Sequence, residues 1–123
     1  MKTGPIGRPR VALLGAAFAV AVLGLAGCVY LGNVPPVASF TATPSSGPAP
    51  LHVVFDASAS HDVDGAIVDY AWDFGDAQTA SSAIATQTHD YTQTPAHTYP
   101  VILIVTDNAG ATDTTVRNVS VTP

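Results

Sequence analysis

The chain has 123 residues, room for one domain, and sets four Lys/Arg against nine acidic residues for a formal net charge of −5. Three basic residues (Lys2, Arg8, Arg10) precede residue 11 and the fourth is Arg117, whereas every acidic residue is an Asp lying after residue 55. An acidic body of this kind excludes nucleic acid, whose phosphates demand Lys and Arg; a single cysteine, Cys28, excludes an intramolecular disulfide and leaves stability to an apolar core or a bound ion.

Residues 1–10 are short and basic, and residues 11–26 (VALLGAAFAVAVLGLA) carry no charge. An apolar run of that length falls short of the roughly 20 residues of a comfortable membrane span and suits the core of a secretory signal. Length alone also fits an uncleaved anchor. The next residues decide the reading: Leu25-Ala26-Gly27-Cys28 resembles the bacterial lipobox. Small residues let a peptidase grip the backbone before the cysteine, and only a thiol supplies the nucleophile that accepts a diacylglycerol. The expectation is a signal peptide over 1–27, forming a helix, with lipid attached to Cys28.

Cleavage there leaves 96 residues (123 − 27) with one Arg against nine Asp, a formal charge of −8. Such a body does not adhere to anionic headgroups, so contact with the membrane rests on the lipid; several acyl chains hold firmly where one is marginal. The tether, 28–34, is short, and Pro35-Pro36 is stiff. The domain, 35–123, is therefore expected close to the bilayer on the extracytoplasmic face.

From residue 37 onward the pattern is β. Runs rich in Val, Ile, Thr and aromatics predict strands at 37–42, 51–56, 66–74, 98–106 and 112–121, with one or two weaker ones within 79–91. Val68, Tyr70, Trp72 and Phe74 alternate onto one face, as do Tyr99, Val101, Leu103 and Val105; these two sets are the expected core. Pro44–Pro48, Asp62-Val63-Asp64-Gly65 and Asp107-Asn108-Ala109-Gly110 have the chemistry of turns. Short strands at this spacing predict an all-β, immunoglobulin-like sandwich of seven strands. The Thr/Ser/Gln-rich stretch 77–96 suits an exposed edge.

Trp72-Asp73-Phe74-Gly75-Asp76 strongly resembles a PKD domain, an immunoglobulin-like module. Pro36-Val37-Ala38, Leu51–Ser60, Asp62–Gly65 and Val105–Gly110 follow in the family's order, so the resemblance covers 35–122. Two departures stand out. Ala77 occupies a position where the family usually has Gly, which suggests a reshaped turn; His97 also stands where Gly is common. Without reference to the family, Trp72 reads as a core filler. Asp56, Asp62, Asp73 and Asp76 read as carboxylates capping backbone N–H groups at turns.

No catalytic motif is present, neither Gly-x-Ser-x-Gly nor His-Glu-x-x-His, and the expectation is that the protein is not an enzyme. Asp62 and Asp64, two residues apart and followed by Gly65, place hard oxygens together as Ca²⁺ prefers, or simply cap a turn. The resemblance adds weight to calcium, since some PKD-like domains of collagenases bind it near this region. His52, His61, His89 and His97 match no zinc spacing. The functional expectation is a lipid-anchored module that binds a cell-surface protein or a polysaccharide, or acts as a spacer. The alternative is a purely structural or calcium-stabilised adhesion module. An exposed aromatic patch would favour glycans, with Tyr30, Phe40 and Tyr91 as its contributors.

Overall fold

Leu51, Val53 and Phe55 are buried while His52 and Val54 between them are exposed, so the segment Leu51–Asp56 is a strand with one face on a core. The same alternation recurs along the chain in the computed structural model, which describes residues 32–93 and 95–123. Eight strands result: β1 (Thr41–Thr43), β2 (Ser46–Pro48), β3 (Leu51–Asp56), β4 (Ile67–Asp73), β5 (Thr79–Ser82), β6 (Thr86–Tyr91), β7 (His97–Asp107) and β8 (Thr112–Thr122). They form two sheets, β1-β3-β6 and β2-β8-β7-β4-β5, all antiparallel except the β2–β8 pair. The expected all-β sandwich is present. The expected signal-peptide helix and Cys28 lie outside the described residues.

The strand count rises from seven to eight because the first strand is divided between the sheets. Pro44 has no N–H to give a ladder, so the chain leaves β3 after Thr43 and re-pairs as β2, parallel to Ser120–Thr122 of β8. The stretch 44–48, expected as a turn, is thus partly strand. Before β1, residues 37–40 lie beside the β3–β4 loop, with one isolated bridge from Val37 to His61.

Sixteen buried apolar residues, from Ala38 to Val121, fill the space between the sheets. At its centre Trp72 meets Phe40 edge-on at 5.1 Å and Phe55 at 5.5 Å, with Phe74 parallel to it at 6.5 Å. Its Nε1–H is buried without a hydrogen-bond partner. Both expected core faces are present with one correction: Val68 is 48% exposed. A register shift between Ile67 and Asp69 sets one extra residue of β4 against β7. Such a bulge reverses the alternation; Ile67 packs against the core before it, and Tyr70, Trp72 and Phe74 face inward after it.

Candidate functional site

One end of the sandwich gathers a cluster of polar side chains. The loop from β3 to β4 carries Asp62 and Asp64; the Asp64 N–H donates to Asp62 Oδ1 at 3.4 Å, and Asp64 Oδ2 accepts the Val34 N–H at 2.8 Å. Gly65 follows because a Cβ there would collide with the side chain of Asn108. It is needed for room, not for a left-handed backbone. Asn108 Oδ1 accepts the Ala66 N–H at 3.1 Å, and its own N–H donates to Ala66 O at 3.0 Å, which ties this loop to the β7–β8 turn.

Asp107 closes that turn from inside. It is 1% exposed; Oδ1 accepts the N–H groups of Ala109 and Ala111, each at 2.9 Å, and Oδ2 accepts Asn33 Nδ2 at 2.6 Å. The Asn33 bond, aided by the backbone donors, holds this carboxyl below its usual range despite burial. Asp62 goes the other way: burial, and then Asp64 beside it, push its carboxyl up. Its Oδ2 is shut off from solvent and has no hydrogen-bond partner.

An orphaned carboxylate oxygen is costly, and either a proton or a hard cation would satisfy it. The donors nearby (Asp62, Asp64, Asp107 and the Asn33 amide) are all oxygen-bearing, which fits Ca²⁺. Among the described residues no three His, Cys, Asp or Glu side chains form a ready cage, so an ion would also draw on amide or carbonyl oxygens. Sequence reasoning named Asp62 and Asp64 and missed Asn33. Its contact with Asp107 spans 74 residues and leaves no local signal.

A second cluster is built on the Trp72–Asp76 string. Asp73 Oδ1 accepts the Gly75 N–H at 2.9 Å and Asp76 Oδ1 accepts the Gln78 N–H at 3.2 Å, so both cap the turn as expected, as Asp56 does for Ser58. Gly75 has φ +84°, and a Cβ there would meet Pro100 O at 2.8 Å. Ala77 holds φ +73°, a left-handed conformation adopted here without glycine's freedom. His89 lies in β6, stacked on Phe74 at 4.1 Å, with its Nε2 2.7 Å from Asp76 Oδ2. The Tyr91 hydroxyl donates to Phe74 O at 2.8 Å. These groups satisfy one another and make a structural brace. His52 pairs with Asp90 at the exposed surface, far more open than the His89–Asp76 pair.

Two of the three candidate contributors to an aromatic patch are not at the surface. Phe40 and Tyr91 are each 1% exposed, and Tyr30 lies outside the described residues. Phe40 is drawn inward by Trp72, and Tyr91 by Tyr99 at 4.6 Å and by its own hydrogen bond. Among the described residues no aromatic ring of Phe, Tyr or Trp stands open at the surface. The outer face of the larger sheet instead offers a shallow concavity of about 520 Å³ that includes Ala71, Ile102 and Ile104.

Two layers of antiparallel strands, a Trp-centred core and carboxylate-capped turns define an immunoglobulin-like sandwich module. Residues 33–122 match the family model of the PKD domain, and the chain belongs to that family. It is similar to the pre-pro-metalloprotease PrtV of Vibrio cholerae, 41% identical over 68 residues; these are 55% of this chain and 7% of the protease, so the chain spans under a tenth of that relative. Among solved structures, the PKD1 domain of Vibrio anguillarum Epp superposes with a TM-score of 0.61 at 41% identity, covering 74% of this chain and 98% of that domain. A structure described as that of promiscuous carbohydrate-binding modules of the β-sandwich superfamily gives a TM-score of 0.70 at 42% identity, covering 75% of this chain and 36% of the other.

Proposed function

We propose that this protein is a non-catalytic binding or spacing module, held to the outer face of a cell membrane by lipid on Cys28. The observation that carries the module reading is the PKD match over 33–122, with the polar clusters of that domain engaged in bracing turns. The partner is a cell-surface protein or a polysaccharide. The carbohydrate-binding neighbour supports a polysaccharide. The burial of Phe40 and Tyr91 means that such a ligand would be held by hydrogen bonds to polar side chains rather than by ring stacking. Calcium, held by Asp62 and Asp64 with Asn33 and Asp107 beside them, would brace the end of the sandwich where the chain enters.

Two experiments test this reading. Cys28→Ser in the native host should move the protein from membranes to the soluble fraction or leave it unprocessed; unchanged processing and sedimentation with membranes refute the anchor. Residues 33–123 should co-sediment with cell-wall polysaccharide or bind a surface protein saturably. A domain that binds neither, in the presence or absence of CaCl₂, leaves the purely structural alternative.

A further inference from the structure

Strand β8 is paired on both sides for only part of its length. Its register with β7 runs unbroken from Thr112 to Val121, while β2 reaches only Ser120, Val121 and Thr122. Ser120 donates its N–H to Ser45 O, away from β7, at 3.0 Å. In an antiparallel ladder the direction alternates by residue, so Thr112, Thr114, Val116 and Asn118 also turn their N–H and C=O groups away from β7. No strand stands there among the described residues. The free stretch spans 112–118 and borders a groove of about 630 Å³ between Thr41–Thr43 and Val116–Asn118. Arg117, the one basic residue after residue 10, lines that groove and has no ion-pair partner among the described residues.

We propose that this edge pairs with the same edge of a second copy, in antiparallel register about a two-fold axis through Thr115. The charges choose the register. Several two-fold registers would match outward-facing backbone groups, but only one sets Arg117 opposite Asp113 of the second copy, and symmetry makes that contact twice. In that register 112 bonds with 118 and 114 with 116 of the other chain, giving four bonded pairs. Asp113 faces Arg117, and Thr115 faces its own counterpart, in the closer non-bonded positions. Asp113 is half-buried and spends Oδ2 on the Ala38 N–H at 2.8 Å, which leaves Oδ1 for the guanidinium. The two five-stranded sheets would then run on as one. A formal charge of −8 on residues 33–123 of each copy opposes the approach and keeps the pairing weak.

The opposing reading is that Asp113 and Arg117 are charges placed to keep other strands off the edge. Cross-linking separates the two. Residues 33–123 hold every core residue, from Ala38 to Val121, and contain no cysteine, so a single thiol can be introduced cleanly. Facing Thr115 residues would have Cα atoms about 4.5 Å apart, within disulfide range. Under mild oxidation Thr115→Cys should form a covalent dimer at least tenfold faster than Thr114→Cys or Val116→Cys. Random collision gives the reverse order, because Thr115 is half-buried and its neighbours are exposed. Adding Arg117→Asp should abolish the advantage. Independently, the unsubstituted domain should show concentration-dependent dimers in sedimentation equilibrium, and Arg117→Asp should not. A Thr115→Cys rate no higher than its neighbours', or a domain monomeric at every concentration, overturns the proposal and leaves the two charges as guards.

Discussion

Trp72→Ala tests the architecture at its centre. The side chain is 2% exposed and touches three aromatic rings at 5.1–6.5 Å, contributed by the first strand's approach, β3 and the residue that follows β4. Truncating a buried ring of this size costs about 3–5 kcal/mol, against a total of about 5–15 kcal/mol for a domain of this class. The structure places the loss toward the lower part of that range. The indole N–H is already buried without a partner, and its removal relieves a penalty of about 1–3 kcal/mol. Trp72→Phe discards that N–H and keeps most of the ring, so its cost should stay below about 1.5 kcal/mol. With a urea slope of about 2 kcal/mol/M, Trp72→Ala should lower the unfolding midpoint by roughly 1.5–2 M and Trp72→Phe by under 1 M. The assay is urea unfolding of residues 33–123 followed by far-ultraviolet circular dichroism. An alanine variant within about 0.5 M of the parent, or a phenylalanine variant as damaged as the alanine one, would refute the packing argument.

Ala77→Gly should stabilise the domain by about 0.5–1 kcal/mol, because relief of the φ +73° conformation exceeds the extra unfolded-state entropy of glycine; a destabilised variant in the same melt contradicts that strain. If Asp62 and Asp64 hold calcium, millimolar CaCl₂ should raise the melting temperature above NaCl at equal ionic strength, by about 2.7 kcal/mol of stability at a hundredfold excess over Kd, and Asp64→Asn should erase the difference. Equal melts in both salts would leave the two carboxylates as turn caps. The Asp56 carboxyl is held below its ordinary value by Ser58, so its contribution is present above the unfolded-state value and is lost as pH falls through the folded one. Asp56→Ala should therefore be less stable than the parent at neutral pH, with the gap narrowing as pH falls below the unfolded-state value; a gap that is constant with pH argues against the bond.

Much of this molecule is determined locally. The alternation in β3, β7 and the second half of β4 reports which residues face the core, because a strand's side chains change face at every step whatever lies around it. The turn carboxylates were equally legible: Asp56, Asp73 and Asp76 each accept an N–H two residues ahead, a bond that needs no distant partner. Other features were decided only when distant segments met. Val68 was displaced to the surface by a bulge fixed against β7, and Phe40 and Tyr91 were drawn inward by rings from other strands. The division of the first strand between two sheets, and the free edge of β8 that it leaves, depend on where β2 runs out of partners. The same holds for the candidate ion site, where Asn33 reaches Asp107 and Asp62 Oδ2 is sealed without a donor. Local sequence sets the direction in which each side chain points; the packing of one sheet on the other determines what it meets there.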